Sequence, residues 1–575
     1  MKQFTYIISL LAFALSVSAQ NNVNIRQSQD SAVNQQITIE RDFQPVIQDA
    51  GKINSTPKIY EMPARQKKTI QYTDYNSMLS TDYNVNQLTY ADSRFSSSPA
   101  SYKGFLRAEL GYPMSILDFY YKMNEADKVV FDVHLDHIGQ WDKWSKYGAG
   151  ILAKTGFGFD VDVLFGNSAF NIGFDAKNTA SVRYYKGTYW NFDAHLGLHS
   201  TPSAPLKYKI QTGYRGFTAK NQNPDSIPMV DITPSIIDHQ IQTIAMLEWT
   251  GGNHSIGVEA LIKDHFYSTK DTLLKPVNFH SMHFEPYYSL KSNRFDMHLG
   301  VNLDLSLNRG RTFAASPNVR FEARVVPEWL ALYGGAVGYY DMHDLNIDIE
   351  RNNYINLLSA VRDSVNSYTI ADAFLGLKFR PHHDLLFKVY AHYAYTLDDR
   401  YYVADEASRQ FTTLYGNSDE WKIGGAVHYH YRDIATLSID GFYSLHNAKD
   451  SLFTPAFDRP KWQLQIDLRV KLDKNKKWTL ISENYIIGKR NALVGSVTTP
   501  PSVPVAMPMP PYPMETKELK TMIDLNLGLE YAIDRNFAAH LRLNDFINWG
   551  KMKNEQWYGY TTQGANILVG ISWTF

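Results

Sequence analysis

The chain has 575 residues, with 57 Lys plus Arg against 58 Asp plus Glu, so no net charge steers it toward nucleic acid or acidic partners. It has no Cys, which excludes disulfides, thiolate metal sites, Cys nucleophiles and a lipid-anchored amino terminus. Aromatics are 14% of residues, with 38 Tyr, yet mean hydropathy is negative. That pairing excludes a helical membrane protein and suits a barrel, where only every second strand residue meets lipid.

Residues 1–19 read as a signal peptide. Lys2 supplies the positive start, Phe4 to Val17 is a short apolar run, and Val17-Ser18-Ala19 gives the small residues of a cleavage point. Residues 20–102 are rich in Asn, Gln, Ser and Asp, and are expected to be mostly extended or disordered, as a periplasmic tail, a filler of a lumen or a plain linker. Gln36 to Ile59 is the one patterned stretch, and the alternation of Ile37 to Ile47 with Pro45 suits it to edge pairing.

From Lys103 onward the apolar period becomes two. Leu106, Ala108 and Leu110 alternate with Arg107, Glu109 and Gly111, and Val129, Phe131, Val133 and Leu135 with Asp132, His134 and Asp136. Trp462, Leu464, Ile466, Leu468 and Val470 face away from Gln463, Gln465, Asp467 and Arg469. Ile523, Leu525, Leu527 and Leu529 face away from Asp524, Asn526 and Glu530. Segments this long match the roughly 9–11 residues of a membrane-crossing strand better than the about 5–6 of a soluble one.

The links alternate in length. Short ones are expected near Asn124–Asp127, Gly166-Asn167, Thr201–Pro205, Gly251–Asn253, Ser292-Asn293, Val326–Glu328, Pro381–Asp384, Arg432-Asp433, Lys474–Lys476 and Asp534–Asn536. Long ones are expected near Gly139–Lys146, Lys177–Thr188, Gly216–Ser235, Ser268–Val277, Asp341–Ser367, Asp398–Glu420, Ala448–Pro460, Asn491–Thr516 and Ile547–Gln563, with short outer links at Pro113 and Asn308–Arg311. Short turns on one side and long loops on the other mark an outer-membrane barrel. The expected fold is all-β: a transmembrane antiparallel β-barrel over residues 103–575, of roughly 22 strands within a range of about 16 to 22. Residues 491–516 crowd Pro500, Pro501, Pro504, Pro508, Pro510, Pro511 and Pro513 into one loop, a composition that favours polyproline II and suits a contact arm or a lid.

The closing stretch places Ile567, Val569, Ile571, Trp573 and Phe575 on one face, and Asn566, Gly570, Ser572 and Thr574 on the other, with Leu568 the apolar exception. A strand ending in Trp-x-Phe reads as the barrel signal presented to barrel-assembly machinery, and it must pair with the first strand near Phe105 to leave no edge in lipid.

The block Leu541 to Trp549, then Trp557 to Gly564, then the closing strand, resembles the end of TonB-dependent receptor barrels: Asn544, Phe546, Asn548, Tyr560, Gly564 and Phe575 fill the family's positions. Lys103 to Trp141, together with Ile37 to Ile59, is similar to the receptor-related outer-membrane proteins that lack a full plug. Only residues 20–102 lie between signal and barrel, fewer than a globular plug takes, and Ile37-Thr38-Ile39-Glu40 is at most a faint echo of a TonB-contacting box.

The resemblance implies a barrel in the Gram-negative outer membrane, carboxy terminus in the periplasm, that takes up or binds a solute. The alternative is an assembly platform that docks periplasmic or surface proteins through residues 20–102 and 491–516. Lumen-lining candidates are Asp132, His134, Asp136, Gln463, Gln465, Asp467, Arg469, Asp524, Asn526, Glu530 and Arg542. His428 and His430 share a face, with His382 and His383 in a turn, but a third ligand is not identifiable, so no metal site is expected. No nucleophile–base set or phosphate loop stands out. The expectation is no enzyme activity, no cofactor and no nucleic-acid partner.

Overall fold

In the computed structural model the described residues are 103–575 without 126–127, 146–147, 183–185, 202–203, 205, 223–234, 271–275, 358–364, 407–409, 450–457, 496–513, 549–553 and 563. The expected signal peptide and the segment 20–102 lie outside the described residues.

The strands, in chain order, are β1 (Gly104–Tyr112), β2 (Met114–Glu125), β3 (Val129–Ser145), β4 (Gly148–Phe165), β5 (Ser168–Val182), β6 (Lys186–Ser200), β7 (Leu206–Gln222), β8 (Ser235–Gly251), β9 (His254–Thr269), β10 (Phe279–Lys291), β11 (Phe295–Leu307), β12 (Phe313–Val326) and β13 (Leu330–Asp341). A short helix, α1 (Leu345–Arg351), follows. Then come β14 (Ser367–His382), β15 (Leu385–Asp405), β16 (Gln410–Tyr431), β17 (Ala435–Ala448), β18 (Trp462–Lys471), β19 (Trp478–Ile487), β20 (Arg490–Gly495), β21 (Met514–Leu519), β22 (Met522–Ala532), β23 (Phe537–Asn544), β24 (Glu555–Trp557), β25 (Tyr560–Thr561) and β26 (Asn566–Thr574). The barrel is closed, antiparallel and 22-stranded. The hairpins β20–β21 and β24–β25 lie outside that ring.

The closure is β1 on β26, with Leu106 opposite Trp573, Leu110 opposite Val569 and Tyr112 opposite Ile567. The backbones approach closely here: a Cβ on Gly111 would fall 1.7 Å from the carbonyl oxygen of Ile567.

The outer face explains the alternation. Val569 is 60% exposed, while Leu568 beside it is fully buried against Met114, Ile116 and Ile138. Trp249, Trp329, Trp478 and Trp573 ring the rim that carries Phe575, here the near rim, and Tyr112, Trp190, Trp421 and Tyr443 form a second outward ring toward the far end. On β16 those rings sit at Trp421 and Tyr431. Ten strand steps at about 3.3 Å, tilted by about 40°, make an apolar band about 25 Å tall, the height of a barrel's lipid belt.

The near-rim turns are short and fall where the sequence placed them. The far side departs from expectation. Gly139–Lys146, Lys177–Thr188 and Asp398–Glu420 are not long links, because β3 runs to Ser145, β5 to Val182 and β15 to Asp405, with β16 starting at Gln410. β15 and β16 have 21 and 22 residues, about 70 Å of chain, far more than the band needs. Residues 491–516 are likewise not one loop. Their ends form the β20–β21 hairpin, and β20 pairs in parallel with the tip of β15, Val403 opposite Leu493. The prolines between lie outside the described residues.

Candidate functional site

The far strand ends and loops turn inward and pack into a cap. Its apolar core joins Tyr189 of β6, Phe217 of β7 and Ile236 of β8 to Leu345 and Ile349 of α1, Tyr402 of β15, Phe411 of β16, Val494 of β20 and Trp557 beside Tyr560. These elements come from widely separated arcs of the ring, so the contact spans the far mouth. Trp557 is 1% exposed, and its ring meets Tyr402 at 5.2 Å and Phe411 at 5.4 Å. Tyr354 stacks on Tyr560 at 3.6 Å.

Charged pairs fasten the cap to the strands. Asp344 caps α1, accepting a hydrogen bond from the Ile347 amide at 2.7 Å. Asp348 of α1 pairs with Arg400 of β15, and Arg351 with Asp341 at 3.0 Å. Asp399, fully buried, receives both terminal nitrogens of Arg459 at 2.5 and 2.8 Å, and the Ser418 hydroxyl. Arg459 also donates to His446 at 2.6 Å and lies over the Tyr401 ring. Burial holds the His446 pKa below its usual value, so the ring is neutral and accepts that bond. The neighbouring Asp458 is different. Burial pushes its carboxyl up to about 7, despite Arg490 and Arg459 nearby, and its Oδ1 has no hydrogen-bond partner among the described residues.

Below the cap the inward face is a polar wall. Asp132 accepts from Tyr120 at 2.6 Å and lies 3.7 Å from Lys122. His134 pairs with Asp175 of β5 at 3.0 Å, and Asp136 stands opposite Asp118. The three β3 residues are therefore parcelled out to different neighbours. On β18, Gln463 stands opposite Phe442, Gln465 donates to Asp467 at 2.7 Å, and Arg469 stands opposite Thr436. On β22, Asp524 is buried opposite Tyr485, Asn526 donates to the Glu483 carbonyl at 2.8 Å, and Glu530 lies 3.8 Å from His540. Arg542 of β23 pairs with Glu109 of β1 at 3.3 Å, across β26. Arg107 of β1 pairs in turn with Asp118 of β2. These residues occupy one continuous arc of wall, from β18 through the closure to β3.

No family profile and no curated protein matches the chain by sequence. Solved structures do match. The chain is similar to the copper transporter OprC, with a TM-score of 0.60 and 12% identity over 82% of this chain and 80% of that one. It is similar to the siderophore receptor PirA from Pseudomonas aeruginosa, with a TM-score of 0.59 and 8% identity over 82% and 80% of the two chains. It is also similar to a chain of the FpvAI–pyocin S2 complex, with a TM-score of 0.58 and 10% identity over 82% and 73%. The fold is that of the TonB-dependent receptor barrels. At such identities the likeness shows this outer-membrane barrel fold alone.

The receptor-like motif has a structural job in this fold. The Asn544 side-chain amide donates to Asn566 Oδ1 at 2.9 Å, and Asn548 donates to the Ile523 carbonyl at 2.7 Å and to Asp545. Asn554 exchanges two hydrogen bonds with the Ile523 backbone at 2.8 and 3.0 Å. This buried knot fixes the base of the last far loop and so aims Trp557 and Tyr560 into the cap. Apart from Trp557 and Tyr560, which fall in the receptor-like block, the cap residues do not stand out in the sequence. One signal was present: Asp398 to Ala404 are all buried, a run in which charges and aromatics adjoin without alternation.

Proposed function

We propose that this chain is an outer-membrane uptake barrel of TonB-dependent-receptor type, with Phe575 in the periplasm and the cap at the cell surface. The observation that carries this reading is a polar inner wall beneath a packed apolar cap. An open diffusion pore has no use for such a core, whereas a gated path does. The solute would be admitted when the cap loosens and would pass along the arc of Asp132, His134, Asp136, Asp467, Arg469, Asp524, Glu530 and Arg542. Residues 20–102 would fill the lumen from below. Membrane lipid is the partner of the outer face, and β26 is the strand presented to barrel-assembly machinery.

A second reading has its own support. A cap packed from so many loops is also a fixed docking surface, and a fold-mate is solved with pyocin S2. On that reading the chain is a platform for surface or periplasmic proteins, through residues 20–102 and the proline-rich stretch.

Conductance in planar bilayers separates the two. The full chain should be closed. A version lacking residues 20–102 and carrying Trp557→Ala should give a steady pore if the barrel is a gated path. A double variant that folds, inserts and stays closed would sink the uptake reading and favour the platform.

A further inference from the structure

The turn from β14 to β15 brings together more than the sequence suggested. His382, His383 and Asp384 each present one ligand atom, and these atoms lie within 4.8 Å of one another. One carboxylate oxygen of Asp384 is 2.9 Å from His383 Nε2, and the other is 3.6 Å from His382 Nδ1. The two imidazole rings are 4.0 Å apart. Ligands about 2.0–2.2 Å from a tetrahedral ion sit about 3.3–3.6 Å from each other, so small side-chain rotations suffice to close the set. The His382 Nδ1 contact with the Asp384 amide is long, at 3.4 Å, and is readily given up.

A second observation concerns what lies behind the turn. His383 and Asp384 line one side of a cavity of about 310 Å3 just inside the near rim, and His428 and His430 of β16 line it too. The His430 amide donates to the Asp384 carbonyl at 2.7 Å, which locks β16 beside the turn. His428 uses Nδ1 on Ser438 at 2.9 Å, and its buried Nε2 has no hydrogen-bond partner among the described residues. The chamber behind the turn is therefore lined with further imidazole.

We propose that the β14–β15 turn binds one divalent transition-metal ion of the zinc, copper or nickel class through His382, His383 and Asp384, its open side toward the cavity lined by His428 and His430. Two imidazoles with one carboxylate select these ions over calcium and magnesium, which take oxygen ligands. The side chains of His382 and His383 are 60% and 75% exposed, so the site loads directly from solution. Three protein ligands leave a coordination position free, the pattern of an exchanging site rather than a sealed structural one. The inference is independent of whether the barrel transports or docks.

The test uses the full chain in detergent micelles, free of any histidine tag. Zinc is titrated calorimetrically, and copper(II) is read by electron paramagnetic resonance for nitrogen hyperfine splitting. One saturable ion with two coordinated nitrogens is expected. The His382→Ala/His383→Ala variant should lose affinity by well over roughly tenfold, since even losing a hydrogen-bond partner behind a ligand costs that much. His254→Ala, beside the β8–β9 turn three near-rim turns away along the ring, should bind as the parent does. Asp384→Asn keeps the turn's shape while removing the charge, and should weaken binding even if the double variant folds poorly. No saturable uptake by the parent, or parent-like binding by a folded double variant, would overturn the assignment.

Discussion

Arg400 of β15 and Asp348 of α1 form an ion pair in which neither side chain is exposed to solvent at all. Arg400 also donates to the Tyr415 hydroxyl at 3.3 Å. A pair so buried fixes geometry more than it adds stability, but losing one partner strands the other charge, at about 3–5 kcal/mol. Arg400→Leu should therefore release α1 from the cap, seen as faster amide exchange across residues 345–351 with the barrel strands unchanged. The double variant Arg400→Leu/Asp348→Leu should recover much of that protection. Equal exchange in both would show that the pair is not the fastening.

Trp557 fills the centre of the cap, so Trp557→Ala should leave a void costing about 3–5 kcal/mol of cap stability. Thermal unfolding of the ring itself should barely move, because Trp557 lies outside it. The readout is protease cleavage in the far loops, which should accelerate while the heat-modifiable gel band stays intact.

The raised Asp458 carboxyl makes the cap pH-sensitive. Folded Asp458 holds its proton up to about pH 7, whereas an unfolded Asp releases it near about 3.9. Between those values the closed cap binds more protons than the open one, so its stability falls as pH rises, and levels off above 7. His446, held neutral, gives the opposite slope below its usual pKa. Asp458→Asn should remove the loss between pH 5 and pH 7 and leave the histidine's contribution alone. Amide exchange of β20 measured across that range checks it, and an unchanged slope in the variant would remove Asp458 from the account.

At the closure, Val569 sits outward between the aromatic rings, opposite Leu110. Val569→Lys should cost about 2–4 kcal/mol, read as a lower urea midpoint in lipid bilayers. Thr574→Lys, at the near-rim end of the same strand, should be close to neutral.

Much of the ring was legible because lipid imposes a rule on every second residue. Trp462 to Val470 and Ile523 to Leu529 alternate because one face meets hydrocarbon and the other a polar wall, and turns such as Gly166-Asn167 punctuate them. Beyond the lipid belt that rule lapses. Asp398 to Ala404 are covered on both faces, so no period survives and the segment read as a loop. The cap was illegible for a second reason: Tyr189, Leu345 and Trp557 are far apart in sequence, and only the curvature of the ring brings them together. The metal-ligand turn was half seen. The adjacent His382 and His383 stand out in the sequence, but that both lie near the Asp384 carboxylate depends on how the turn folds.

The pairing of β1 with β26 also sets a timetable. A ribosome makes β1 first and its partner several hundred residues later, so through nearly all of synthesis β1 carries an open edge and cannot be sealed. The ring therefore cannot close before β26 has been made. A chain interrupted anywhere before β26 lacks the strand that covers this edge of β1, so its sheet is left open and prone to pair with other chains.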